Sequence, residues 1–341
     1  MRYIKYGIFL FMFAVSALLP TGCINGELDG CLPGSFIANV NIQLVYESGL
    51  DESVLDNRKN ATLFIFDSTG TLVNSYPLDP KSEAVQILTN VNLKPNSTYN
   101  FVVWHNIDVE DATYPYKYTV DLDANTQDGN RFYLPLPDSA IIDATLPFLP
   151  YFYGENMTFE FTVDSLMVVE VPVYQQTNEI NVTILGLDSE AVADATMWYK
   201  FEIHDKRAKY SFRNEFVVDS TDVFYRQEDV QPVVSDSSVS ATLHILKLSA
   251  APEAPKPDLT VTDMTGLTIF GAPDNTSLVS LIQASFRQSH TDSLNFDLYH
   301  KFDIVIDLKG ARGASFDVND WGKIKPDGAG NFVDFDVELD L

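Results

Sequence analysis

Cys23 and Cys31 stand in the stretch TGCINGELDGC and are the two cysteines of the chain. Two thiols at this spacing could form a disulfide, supply half of a zinc site, or act separately. The five histidines, His105, His204, His244, His290 and His300, are scattered, and none lies at a zinc-ligand spacing from a cysteine. His300 falls on the apolar face of its segment, where a core histidine with satisfied hydrogen bonds is expected. Carboxylates are so numerous, 48 Asp and Glu against 22 Lys and Arg, that any acid–base pair could be drawn and none is informative. GxSxG, HExxH, P-loop, GxGxxG and CxxC motifs are absent, so no catalytic residue, cofactor or small-molecule substrate is expected. In DLDANTQDG, Asp121, Asp123 and Asn125 have the spacing of the first three ligands of a calcium loop. Thr126 then stands where the turn needs glycine, and Phe132 where a bidentate glutamate belongs. A solvated acidic loop is the expected reading, with these three as weak metal candidates.

The segment before Cys23 bears on the cysteine question. MRYIKYGIFLFMFAVSALLPTGC has basic residues at Arg2 and Lys5, an apolar run from Gly7 to Leu19, and small residues at Thr21 and Gly22. This is the three-part layout of a signal peptide, placed at residues 1–22. As a helix the run spans about 20 Å, short of the roughly 30 Å hydrocarbon core of a bilayer. Leu18, Leu19, Thr21, Gly22 and Cys23 resemble the bacterial lipoprotein signal, in which a thioether-linked diacylglycerol is attached to the cysteine that becomes residue one. Pro20 stands where an aliphatic residue is usual. Acylation would consume the Cys23 sulfur, exclude a disulfide and leave Cys31 a lone thiol. Each buried CH₂ contributes about 0.8 kcal/mol, so two acyl chains hold where one does not. The surface itself gives no help: formal net charge is −26 over the whole chain. Such a surface repels both nucleic acid and anionic headgroups.

With 341 residues, of which 45% are hydrophobic, the chain can build two ordinary cores. From residue 36 the apolar residues alternate, and no segment before 170 keeps a helical period, so the fold class is all-β. FIANVNIQLVYES alternates around Val40, Ile42, Leu44 and Tyr46. ATLFIFDSTGTLVNSY reads as a hairpin about DSTG, with a first run apolar on both faces and therefore central. The polar break from Pro172 to Asn178 divides a first β-sandwich domain (36–173) from a second (174–341), with 23–35 as a tether. LNFDLYHKFDIVIDL alternates over a length too great for one strand, and a bulge or a sheet change is expected near Tyr299–Lys301. APEAPKPDLT (251–260) reads as an exposed loop. The chain closes with NFVDFDVELDL (331–341), which puts Val333, Phe335, Val337, Leu339 and Leu341 on one face and acids on the other. It is a candidate strand-exchange segment, or the last strand of its own domain.

In order along the chain, Cys23, CLPGSFIANVNIQLVY, TLFIFDSTGTLV, YNFVVWHN, PVYQQTNEINVTILGL and FDVNDWGKI resemble the FimB-type minor fimbrial anchor family of type V pili in Bacteroidia. In the last piece Val318, Asn319 and Trp321 match the family signature, while Asp320 replaces its glycine. The resemblance implies two transthyretin-like antiparallel β-sandwich domains in tandem. It implies an outer-membrane protein held by acyl chains at Cys23, surface-exposed, which anchors the base of a pilus and limits its length. A fimbrial stalk subunit would be the partner, docked by β-strand addition. The alternatives are a tip or accessory adhesin, and a surface glycan-binding lipoprotein. The last would need an exposed aromatic platform such as Tyr114, Tyr116 and Tyr118, although a half-buried strand face is the plainer reading of those residues.

Overall fold

The structure, a computed structural model, describes residues 36–47, 50, 52–94, 96–161, 168–188, 192–194, 196–217, 222–251, 254–271, 277–280, 282–283, 294–308 and 316–319. For 36–38, 157–161 and 316–319 it describes the backbone alone. The first ten strands are β1 (Phe36–Tyr46), β2 (Ala61–Asp67), β3 (Leu72–Leu78), β4 (Gln86–Leu93), β5 (Ser97–His105), β6 (Thr119–Asp121), β7 (Arg131–Tyr133), β8 (Ile141–Asp143), β9 (Phe152–Phe161) and β10 (Val168–Gln175). There follow β11 (Thr177–Leu185), β12 (Tyr199–Asp205), β13 (Lys209–Ser211), β14 (Val223–Val230), β15 (Val239–Leu246), β16 (Asp258–Asp263), β17 (Thr268–Gly271), β18 (Lys301–Asp307) and β19 (Phe316–Asn319). Among the described residues no helix is long and apolar enough to cross a membrane. The fold is all-β, as the alternation predicts.

Four sheets result, in the orders β3-β2-β5-β9-β10-β1-β4, β15-β11-β18-β19, β17-β16-β12-β14-β8 and β13-β7-β6. Side chains two apart share a face, and this decides what each strand buries. In β12, Tyr199, Phe201 and Ile203 are buried while Lys200, Glu202 and His204 are half-buried. β2 and β5 are buried on both faces, and both lie inside their sheet. Leu63, Ile65, Phe101 and Val103 face one core together with Val40, Ile42, Leu44, Val169, Val171 and Val173. Phe64, Phe66, Val102 and Trp104 face a second core, which also takes residues of β11, β12, β15 and β18. Each large side chain so buried contributes about 1.5–3 kcal/mol.

Antiparallel pairing dominates, but three pairs are parallel: β1 with β10, β11 with β18, and β8 with β14. Partners this far apart in sequence are not bound by hairpin geometry, so either direction is open to them. The chain leaves the first sheet at Gln175 and enters the second at Thr177. Two strands from before that crossing nevertheless pair with strands from after it: β7 with β13, and β8 with β14. Aromatic contacts follow the same route. Phe212 packs edge-on against Phe64 at a centroid distance of 4.8 Å and against Trp104 at 6.3 Å.

Two expectations change. Only Lys301–Asp307 of LNFDLYHKFDIVIDL is a strand. The Asn295 side chain accepts from the Asp297 amide at 2.9 Å, and the Leu298 amide donates to the Asn295 carbonyl at 3.0 Å. This side-chain-capped turn replaces the first strand half, while Leu294 and Phe296 still reach the core. The 251–260 stretch is not a uniformly exposed loop: Ala254 and Pro257 are buried, and β16 already begins at Asp258.

The β2–β3 and β16–β17 hairpins share one turn, Asp67-Ser-Thr69-Gly70 and Asp263-Met-Thr265-Gly266. In each, the aspartate Oδ1 accepts from the threonine amide and hydroxyl and from the amide two residues further on, at 2.6 to 3.0 Å. The glycines take φ of 77° and 85°, which a β-carbon would strain. Burial pushes both carboxyls up, yet these hydrogen bonds outweigh it and hold them below the usual carboxylate range.

Candidate interaction site: a central first strand and open sheet edges

β1 is the first described strand after the candidate lipid site, and it sits inside its sheet. On one side Asn41–Tyr46 pairs in parallel with Val168–Val173. On the other, Phe36–Ile42 pairs antiparallel with Leu93–Gln86. That ladder carries a bulge opposite Ala38–Val40, where Asn90 takes a φ of 61°. Val40, Ile42 and Leu44 point into the first core.

The far end of β1 is fastened twice. The Tyr46 hydroxyl donates to the Pro80 carbonyl at 2.9 Å. Its oxygen is then free to accept from His105 Nε2, 3.3 Å away, which assigns the imidazole proton to Nε2. His105 Nδ1 is buried without a partner. Phe152 packs edge-on against both rings, and the Arg58 guanidinium lies 4.3 Å from the Tyr46 ring centroid. Burial first, and the Arg58 charge second, lower the His105 imidazole to about 3. Burial likewise raises the Tyr46 phenol to about 12. Next along the chain, Glu47 is bonded through Oε1 to His300 Nε2, and its amide donates to the Val173 carbonyl at 3.1 Å. The His300 carbonyl accepts from the Glu179 amide at 2.8 Å, which carries the connection into β11.

His300 is thus a bridge between distant segments, where a satisfied core histidine is the sequence expectation; its Nδ1 has no partner. Neither fastening was read from sequence, although a signal existed. Glu47 follows directly on β1, and His300 interrupts an apolar alternation directly before β18.

Strand addition needs an open edge. β3 ends its sheet but holds Pro77, which has no amide to donate, and β4 at the other end holds the Asn90 bulge. The outer side of β15 is partly covered, since the His244 amide donates to the Ala144 carbonyl at 3.1 Å. β19, with Val318 paired to Ile304 and Asn319 to Asp303, forms the other edge of that sheet. Cys23, Cys31, Trp321 and the segment with Val333, Phe335, Val337, Leu339 and Leu341 lie outside the described residues.

Asp121, Asp123 and Asn125 are all solvent-exposed, and Asp121 Oδ1 accepts from the Asp123 amide at 2.9 Å in a local turn. Among the described residues no group of three or more His, Cys, Asp or Glu could hold a metal ion. The tyrosines of TYPYKYTV form neither a platform nor a strand face. Tyr118 is fully buried. Tyr116 packs on Phe148, and its hydroxyl accepts from the Asp143 amide at 2.6 Å. β6 begins only at Thr119, because residues 111–118 turn through isolated bridges.

Solved structures of other proteins share this fold. A candidate polysaccharide-binding protein from Bacteroides thetaiotaomicron matches with a TM-score of 0.60 and 15% identity, over 85% of this chain and 99% of its own. The fimbrial anchor protein Mfa2 from Porphyromonas gingivalis matches with a TM-score of 0.59 and 18% identity, over 84% and 99%. A candidate adhesin from Bacteroides thetaiotaomicron matches with a TM-score of 0.58 and 18% identity, over 85% and 98%. No curated protein matches the chain in sequence. Residues 28–326 match the model of the fimbrillin-A associated anchor proteins Mfa1 and Mfa2. A match running from the β1 approach to beyond β19 covers both sheets that β1 and His300 join, and on it the chain belongs to the family of fimbrillin-A associated anchor proteins.

Proposed function

We propose that this protein is the lipid-anchored base subunit of a fimbria, a structural rather than catalytic part. Acyl chains on Cys23 hold it in the outer membrane with its body exposed at the cell surface. The body docks a stalk subunit by β-strand addition and limits the length of the fibre. Residues 331–341 are the proposed docking strand. The anchor-family match over residues 28–326 carries this reading. The seat of β1 supports it. A pull on Cys23 along the strand axis would load the ladders to β4 and β10 together in shear, and not one bond at a time.

The test is Cys23→Ala in the native host, with membrane fractionation and microscopy of the fimbriae. The protein is expected in the soluble fraction, and fimbriae are expected to be shed or overlong. A Cys23→Ala protein that still leaves membranes only with detergent would refute the lipid attachment. A deletion strain with attached fimbriae of normal length would refute the anchor role. Removing residues 332–341 should abolish co-purification with the stalk subunit while leaving the protein folded. Unchanged co-purification would refute the docking strand.

A further inference from the structure

Two turns at one end of the β17-β16-β12-β14-β8 sheet carry aliphatic side chains that lie outside both cores. Tyr199 pairs with Val230 on one side and with Asp263 on the other. The chains that leave β14 and β16 therefore emerge side by side, about 10 Å apart across β12. The first leads to Val233 and Val234, 47% and 63% exposed, and the second to Met264 and Leu267, 41% and 62% exposed. Trp198 is half-buried and enters β12 between the two turns, where the β12–β16 register puts it opposite Met264. Among the exposed large hydrophobics of the described residues, Ile87 alone matches Val234 and Leu267, at 64%.

The turns do not need these residues. Asp263 Oδ1 closes one of them, and the Val233 amide closes the other by donating to the Ser238 carbonyl at 2.7 Å. The tip of the first is in open space, since a β-carbon on Gly266 would meet nothing within 4 Å. A single exposed aliphatic is ordinary, but a cluster around an indole has the composition of an interface core. Asp194, Asp229 and Asp236 are exposed within a few residues of it, and Lys200 already faces Glu202 at 3.9 Å. The rim is therefore acidic.

This end stands clear of the β1 fastening. β11 reaches it, with Ile184 paired to Val239 and the Leu187 amide donating to the Ser237 carbonyl at 3.0 Å. From Glu179, tied to His300, β11 climbs about 20 Å to Leu185. β18 ends here too, and β19 runs back along it from Phe316 opposite Ile306 to Asn319 opposite Asp303. The way from Asp303 to the end of β18 is about 13 Å, and the 22 residues after Asn319 reach about 70 Å. A subunit that takes residues 331–341 as a strand can thus rest on this end while holding them.

We propose that the Val233–Val234 and Met264–Leu267 turns, with Trp198 between them, are a second contact surface for the fimbrial stalk subunit, which meets them with an apolar face rimmed by Lys and Arg. This rests on the base-subunit reading above. Strand addition supplies affinity through the backbone, while the turns and their acidic rim fix the orientation of the docked subunit.

The experiment is surface plasmon resonance of the full chain over the purified, immobilised major fimbrial subunit of the native host. Val234→Glu with Leu267→Glu, both at exposed positions, should leave the melting temperature unchanged and weaken binding at least about tenfold, mostly through the off-rate. Val234→Ser with Leu267→Ser, which removes apolar area without adding charge, should weaken it about threefold. Ile87→Glu, as exposed but on β4, should leave binding unchanged. Native-strength binding by either pair, or equal weakening by Ile87→Glu, would overturn the surface. If removal of residues 332–341 still abolished binding in that case, the base-subunit reading would stand without it. No binding by the native protein would overturn both.

Discussion

His105 should make the seat of β1 sensitive to mild acid. Its imidazole is fully buried beside the Arg58 charge, and its pKa falls from 6.5 to about 3. The unfolded chain therefore takes up a proton near pH 6.5 that the folded chain refuses until about pH 3. Stability is complete above pH 6.5 and is lost as pH falls from there toward 3. The linkage integral puts the loss at about 2 kcal/mol between pH 8 and pH 5, growing to roughly 4–5 kcal/mol below pH 3. The low-pKa carboxyls of Asp67 and Asp263 titrate beneath the upper part of this window. His244, lowered mainly by burial, adds loss of the same sign. A comparison with His105→Phe cancels that background. Phenylalanine keeps a ring against Tyr46 and Phe152, with 5.6 Å and 5.5 Å between centroids in the native contacts, and it cannot titrate. Urea unfolding of both proteins from pH 8 to pH 5 is the assay. The native protein should lose about 2 kcal/mol more than the variant. Equal losses, within about 0.5 kcal/mol, would refute the buried neutral imidazole.

Ile42 is fully buried in the first core, so Ile42→Ala should cost about 2–5 kcal/mol in urea unfolding. A cost under about 1 kcal/mol would mean that β1 is not packed in the core as described. Asp67→Ala and Asp263→Ala each remove a turn-closing acceptor and should cost about 0.5–1 kcal/mol, the low end because both carboxylates are well solvated. Because the folded carboxyls lie below 3.8, their contribution is present above that pH and lost as pH falls through the folded values. The double variant should therefore show a shallower loss of stability below pH 4, and an unchanged acid profile would count against the shared turn.

The sheets were legible where one residue decides its own environment. Alternation in FIANVNIQLVY and the two-faced run ATLFIFD announce a strand buried on one face and a strand covered on both, because burial follows directly from strand geometry. The DSTG turn was legible for the same local reason. What sequence did not give was pairing between distant segments. Nothing in RFY or IID says that these three-residue strands join β13 and β14 across the Gln176 crossing. The 294–300 stretch failed differently: its apolar residues are buried as the pattern predicts, but Asn295 competes for the backbone and turns it. Glu47 and His300, separated by most of the chain, could not be matched by spacing at all.

That interleaving has a mechanical consequence. Had the chain folded as two beads on a string, tension between the N-terminus and a partner docked near β19 would fall on the single connection at Gln176. Instead the tension divides. One branch passes from β1 through Glu47 to His300, and so into β11 and β18. A second passes through the β7–β13 and β8–β14 pairs and the Phe64–Phe212 contact. Buried pairs and sheet ladders loaded in parallel must give way together, whereas a linker gives way alone. For a protein proposed to hold a fibre to a membrane, the sharing of strands between the two halves is therefore the feature that would keep the body from opening before the lipid lets go.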